Sequence, residues 1–411
     1  MTRFRLAAST ALVAAALAAG APARAEDAPT SWQDSIKFGA QIQSGITFNP
    51  AGPKTNFGQA LTDHPNQLML NQALLTVSRE IPKDASGWDV GFKVQGLYGS
   101  DARYTHYIGV LNQAITDRNQ LDLVEANVTA HMPVLTAGGI DLKLGLFSTP
   151  IGFETIDPST NAFYSHSYIF SYALPFKHTG GLANIHVTDF LDIYGGLTTG
   201  VNTTFPTGGD NNSSMSGIVG FGLNLLDGKL TAVVLSHIGP ENASYTPTQS
   251  VGVPNANHYN RYYNDAYVTY KHNDKLSFTT EINYTKDDLI GAEAFGVAQY
   301  VSYAITDTVT LNARGEIFRD GKGFYVGYFP GNLDFINFER GRPSTSVGGP
   351  HATYGALTFG ATWKPDLPKP ISGLLVRPEV RYDAGLAGPK PYNNGKDNGQ
   401  FTIATDVVLT F

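Results

Sequence analysis

Apolar residues recur at every second position in stretch after stretch of this chain. At its C-terminal end Phe401, Ile403, Val407, Leu409 and Phe411 share one parity, broken only by Thr405, while Thr402, Asp406 and Thr410 hold the other. A period of two belongs to a β-strand, whose successive side chains point to opposite faces. The pattern repeats upstream. Ile36, Phe38, Ala40, Ile42, Ile46 and Phe48 alternate with Lys37, Gln41, Gln43 and Thr47. Val309, Leu311, Ala313 and Ile317 alternate with Asn312, Arg314 and Glu316, and Leu374, Val376, Val380 and Tyr382 with Arg377, Glu379, Arg381 and Asp383. Charges opposite an apolar row fit a wall with lipid on one side and a polar lumen on the other.

Strands are predicted at 35–48, 67–79, 88–99, 121–132, 140–147, 180–187, 191–201, 216–226, 229–237, 262–271, 275–285, 294–305, 308–319, 353–363, 374–383 and 401–411. That makes about sixteen, an even number, as bacterial single-chain barrels have. The connections alternate in length. Thr188-Asp189, Asp227-Gly228, 272–274 and Thr306-Asp307 are tight turns, and Asp-Gly suits a hairpin because both residues tolerate positive φ. Between them lie long polar segments at 49–66, 100–120, 148–179, 202–215, 238–261, 286–293, 320–352 and 384–400. The expected fold is all-β: a closed antiparallel transmembrane barrel with short periplasmic turns and long extracellular loops.

Composition agrees with this. Glycine (44), phenylalanine (23) and tyrosine (21) are abundant, cysteine is absent, and outside the first residues no apolar run nears the ~20 residues of a membrane helix. The N-terminus differs from the rest: Arg3 and Arg5 precede an apolar stretch from Leu6 to Ala19, and Ala23-Arg24-Ala25 ends it. This predicts a signal peptide over 1–25, a short periplasmic segment over 26–34 and the barrel over 35–411. Cleavage would remove Arg3, Arg5 and Arg24 and take the formal charge from −7 to −10, which argues against nucleic acid as a partner. Without cysteine there is no thiol chemistry, and the scattered His and Asp show no metal spacing; no cofactor and no metal are expected.

The third long segment, 148–179, is dense in aromatic and ionisable residues. It runs through Pro150-Ile151-Gly152-Phe153-Glu154, Asn161, Ser165-His166-Ser167 and Pro175-Phe176-Lys177-His178-Thr179-Gly180. With Leu144-Gly145 before it, this run resembles the putative β-barrel porin-2 (OmpL-like) family, and the likeness extends more loosely over 36–411. Where that family's pattern often has arginine between the two serines, this chain has His166. The resemblance implies an outer-membrane pore and leaves its solute open.

In porins of sixteen strands the third extracellular loop commonly folds inward and narrows the channel. On that reading Glu154, Asp157, His166, Lys177 and His178 are the constriction residues and face Arg314, Arg377 and Arg381 on the wall, a charge arrangement that tunes which ions pass. The function expected is passive diffusion of small hydrophilic solutes or ions. A substrate-specific channel, for sugars or oligosaccharides, is the alternative. A barrel enzyme is disfavoured: Ser165-His166-Ser167 has the residue types, but neighbours on an extended chain point opposite ways, and no G-x-S-x-G elbow occurs. No catalytic residue is assigned. The expected partners are outer-membrane lipid and lipopolysaccharide, the barrel-assembly machinery and the solutes themselves, with a homotrimer open as the oligomer. A final strand ending on Phe411 resembles the signal by which barrels are recognised for assembly. Trp88, Tyr284, Trp363, Tyr382 and Phe411 at strand ends read as an interfacial aromatic girdle, or alternatively as a sugar-stacking row.

Overall fold

The computed structural model describes residues 31–82, 85–112, 114–205, 208–244, 255–326, 350–368 and 371–411. The expected signal peptide and most of the segment 26–34 lie outside them.

Sixteen antiparallel strands close into one barrel, each bonded to its sequence neighbours and the last to the first. They are β1 (Lys37–Phe48), β2 (Leu68–Arg79), β3 (Asp89–Gly99), β4 (Gln120–Met132), β5 (Ile140–Ser148), β6 (Lys177–Thr188), β7 (Leu191–Thr198) and β8 (Ser216–Leu225). The second half comprises β9 (Leu230–Gly239), β10 (Arg261–Lys271), β11 (Leu276–Asp287), β12 (Ala292–Ala304), β13 (Val309–Asp320), β14 (Ala352–Trp363), β15 (Gly373–Ala387) and β16 (Gly399–Thr410). Closure is made where Ile42 pairs with Leu409 and Phe48 with Ile403. Beyond the strand, Phe411 N–H donates to the Ala40 carbonyl at 2.9 Å.

The period of two decides what faces out. Leu144, Leu311, Phe359, Val380, Phe401 and Val407 are exposed, while Glu281, Arg314, Arg377, Asp383 and Asp406, of the opposite parity, are buried. An outer row that is apolar and unpacked within the monomer is the face a bilayer covers. A closed sheet also leaves no edge with unpaired backbone groups, which lipid could not satisfy. One rim carries the tight turns. Asp227 and Gly228 both take positive φ, as the turn between β8 and β9 requires.

Among the boundaries that differ from the sequence reading, three change the picture. β6 begins at Lys177, so Lys177, His178 and Thr179 are strand residues paired with Ser148, Phe147 and Leu146. β15 runs on to Ala387 beside β14. The segment 286–293 is a tight turn rather than a long loop, because Lys286–Glu293 and Asp287–Ala292 stay in register and Asp287 accepts from Ile290 N at 2.9 Å.

From the opposite rim the long loops turn inward. Ala60 and Leu61 of the first loop, Tyr104 of the second, Phe324, Tyr325 and Val326 after β13, and Tyr392 after β15 bury against residues of the third loop in one cluster inside the barrel. Inward-facing Leu182, Ile218 and Leu235 of β6, β8 and β9 belong to the same cluster. The core thus sits in the lumen, on the long-loop side.

Candidate pore constriction

The third loop, 149–176, leaves β5 and returns to β6 with Thr149 N–H bonded to the Phe176 carbonyl at 2.9 Å. Between these ends it crosses the lumen. Its backbone amides and carbonyls would be stranded there unless the wall satisfied them, and inward side chains of β11 to β16 do so.

Four acceptors and three guanidinium groups do most of this. Glu281 accepts from Phe153 N at 2.8 Å, Glu379 from Tyr164 N at 2.9 Å and Ser165 N at 3.2 Å, and Glu316 from Tyr168 N at 2.7 Å. Asp383 accepts from the Tyr168 hydroxyl at 3.2 Å. Arg377 donates to the carbonyls of Pro158 (2.6 Å) and Asn161 (2.7 Å) and pairs with Asp406. Arg381 donates to the His166 carbonyl at 2.7 Å and to Asp383 at 2.7 Å. Arg314 donates to Glu154 Oε1 at 2.7 Å and to the Ser165 carbonyl at 2.9 Å. Guanidinium suits this work because its fork of donors reaches a carboxylate and a carbonyl together.

Neutral groups complete the fastening. Gln41 donates to Asp157 (3.0 Å), Gln72 to the Ile156 carbonyl (2.9 Å) and Thr285 to the Ala173 carbonyl (2.9 Å). Within the loop, Asp157 caps the short turn Pro158–Thr160 by accepting from Ser159 N. Ser167 caps the helix Tyr168–Tyr172 by accepting from Phe170 N at 3.0 Å. That helix aims Tyr168 across the lumen, where its ring stacks on Tyr354 at 5.4 Å and 9°.

Glu154 is the hub. His166 Nδ1 lies 2.9 Å from Glu154 Oε2 and, facing a carboxylate, carries the proton. Ser167 N donates to the same oxygen at 3.0 Å, and the Tyr300 hydroxyl to Oε1 at 3.1 Å. Burial raises the pKa of this carboxyl. The Arg314 charge, the His166 hydrogen bond and charge, and the Ser167 amide outweigh it and hold it at about 2. The His166 ring is stacked 4.2 Å from Phe170, which fixes its orientation.

Of the residues singled out in the sequence, Glu154, His166, Arg314 and Arg381 are brought together, Arg381 joining through Glu316. Asp157 and Arg377 meet at the loop's turn. Arg377 reaches the Pro158 and Asn161 carbonyls there and pairs with Asp406, while Asp157 is bonded by Gln41. Lys177 and His178 stand apart at the start of β6. Lys177 is fully buried, 2.7 Å from Asp122 and 4.1 Å from the centre of the Tyr107 ring. His178 bonds Thr149 at 3.0 Å and packs against His237. The fastening residues not singled out as site residues, such as Gln41, Gln72, Glu281, Tyr300, Glu316, Glu379 and Asp383, sit at inward parity.

On the short-turn side of the loop a cavity of about 270 Å³ remains between Phe153–Ala162 and the wall of β10 to β15.

Among curated proteins none matches the chain. Solved structures that resemble it include the outer-membrane channel DcaP of Acinetobacter baumannii, with 12% identity over 92% of this chain and 97% of that one and a TM-score of 0.55. OprB of Pseudomonas putida is similar at 12% identity, 92% and 94% coverage and a TM-score of 0.54. An anion-selective porin from Comamonas acidovorans is similar at 11% identity, 92% and 99% coverage and a TM-score of 0.52. At such identities the likeness is one of fold. The sequence itself matches the model of a family described as Putative beta-barrel porin-2, OmpL-like, over residues 35–411. The match runs the length of the barrel, and the chain belongs to that family of outer-membrane porins.

Proposed function

We propose that this porin is a water-filled channel for passive diffusion of small hydrophilic solutes or ions, narrowed by the inward-folded loop 149–176. The observation that carries the reading is the fastening of this loop to the far wall by Arg314, Arg377 and Arg381. A loop held at so many points keeps a fixed cross-section, and its polar groups gain from a hydrated lumen what lipid could not give. The constriction is then formed by the loop's lumen-facing turn at Thr155, Asp157 and Thr160, with the buried hub at Glu154 and His166 behind it.

A non-enzymatic role is supported by what the serines do. Ser165 Oγ accepts from Arg314 at 3.2 Å and Ser167 Oγ caps a helix, so both hydroxyls are committed, and His166 is turned toward Glu154. A nucleophile needs its base within hydrogen-bond reach. The protein works in the outer membrane, delivered there by the leader expected at 1–25.

The test is single-channel recording in planar bilayers, with the reversal potential measured in a salt gradient. Discrete conductance steps with a salt-dependent reversal potential are expected. A protein that inserts and passes no current would remove the reading.

A further inference from the structure

The cavity beneath the third loop differs in chemistry from the rest of the lumen. Ten of its fifteen lining residues carry an aliphatic hydroxyl or a carboxamide, and Lys364 is its one charged residue. This is unusual in a lumen whose buried positions include Glu281, Arg314, Glu316, Arg377, Glu379, Arg381 and Asp383. Hydroxyls and one carboxamide form two hydrogen-bonded groups on the wall. Thr269 and Thr279 are 2.8 Å apart, Ser302 donates to Asn312 at 2.8 Å, and Asn312 donates to Thr362 at 2.9 Å. A hydroxyl has one donor and two acceptor sites, so each member keeps capacity for a ligand. Among the described residues Ser277 makes no side-chain hydrogen bond.

The same cavity has an aromatic side. Phe153 lies 4.8 Å from Tyr300 and 5.7 Å from Tyr267, centroid to centroid. The Tyr300 hydroxyl is held by Glu154 and Glu281 at 3.1 and 3.3 Å, which fixes its ring before any solute arrives.

We infer that this cavity, between the third loop and the β10–β15 wall, is a binding subsite for a neutral polyhydroxylated solute of about hexose size, such as a monosaccharide or polyol. The inference rests on the porin reading above. Such a molecule presents hydroxyls on its edge and C–H groups on its faces, matching the hydroxyl-lined wall and the aromatic pair. A carboxylate or phosphate of similar size would lose more hydration than one lysine returns. The volume lies just below the range typical of drug-sized ligands, as a small solute requires.

The experiment is ion current through the reconstituted full-length barrel while D-glucose or D-gluconate is added from the short-turn side. Glucose is expected to reduce the current saturably, and gluconate to do so at least tenfold less effectively. Phe153→Ala, and Ser277→Ala paired with Thr310→Val, are expected to raise the half-saturating glucose concentration by roughly tenfold, on the scale of one or two lost neutral hydrogen bonds or ring contacts. Each variant is normalised to its own sugar-free current. The Ser277/Thr310 variant keeps the test decisive if Phe153→Ala does not fold. Current that glucose leaves unaltered, gluconate acting as strongly as glucose, or unchanged half-saturation in the variants would overturn the subsite while leaving the pore intact. Absence of any current would overturn the pore itself.

Discussion

Arg314 of β13 and Glu154 of the third loop meet at 2.7 Å inside the barrel, and Arg314 spans on from that carboxylate to the Ser165 carbonyl. One guanidinium therefore holds two points of a loop that begins on the opposite wall. Removing one partner of a buried pair leaves the other charge uncompensated, at about 3–5 kcal/mol. Glu154→Gln is expected to loosen the loop and to shift selectivity toward anions, since a negative charge leaves a weakly screened passage while Arg314 and Arg381 stay. Reversal potentials of wild type and variant check the direction. An unchanged value would place Glu154 outside the ion path.

The same carboxylate sets a pH limit. Its pKa lies at about 2 in the folded barrel against an ordinary 4.5, so it contributes stability above pH 4.5 that is lost as the pH falls through about 2. The contribution is roughly 3 kcal/mol. Arg314, His166, Tyr300 and, through Tyr300, Glu281 surround it. Unfolding of wild type and Glu154→Gln, followed by urea titration across pH 7 to 2.5, is expected to show a stability gap that narrows only below about pH 4.5.

Lys177 offers the contrasting case. It is buried against Asp122 and Tyr107, away from the loop's crossing. Lys177→Met is expected to destabilise the barrel by about 3–5 kcal/mol, because Asp122 loses its cation. The reversal potential is expected to stay at the wild-type value. A selectivity shift as large as that of Glu154→Gln would return Lys177 to the constriction.

Phe411 ends the last strand where its amide bonds the Ala40 carbonyl at 2.9 Å. Deleting it removes that bond and the longer one from Ala40 N–H to the Phe411 carbonyl at 3.5 Å, a small loss worth about 1–2 kcal/mol. As an assembly signal it would matter far more. The deletion is expected to lower the amount of barrel in the outer membrane several-fold while purified protein refolds in detergent. Wild-type levels in the membrane would refute the signal.

The barrel could be read from the sequence because lipid enforces a period of two on every strand, from Phe38–Phe48 to Phe401–Leu409. The start of β6 was not visible. Lys177, His178 and Thr179 read as loop residues by polarity, but Asp122, Thr149 and the Thr203 carbonyl take up their side chains. Charges at inward parity, such as Arg314, Arg377 and Arg381, were recognisable as lumen residues. Their partners were not, since Arg377 and Arg381 divide their donors between Asp406 or Asp383 and loop carbonyls, and the carbonyls leave no trace in composition. Gln41, Gln72 and Tyr300 look like any polar lumen residue until the loop is seen against them. Leu182, Ile218 and Leu235 are apolar yet face inward, because the loop covers them; this blurs the alternation across β6 to β9.

Packing of the loop's helix sets how firmly it stays. Tyr168 stacks on Tyr354 and Phe318 and bonds Asp383 and the Tyr392 hydroxyl. Tyr168→Ala is expected to cost about 3–5 kcal/mol of local packing and to make single-channel current noisier as the loop samples looser positions. Current noise matching wild type would show that Tyr168 does not restrain the loop.

The central claim is that the third loop sets the narrowest part of the channel. Its most direct test replaces residues 150–175 by a short Gly-Ser linker and compares single-channel conductance and reversal potential with wild type in the same salt gradient. Conductance is expected to rise several-fold, with a reversal potential closer to that of an unselective pore. Equal conductance and equal reversal potential in the two channels would contradict the claim.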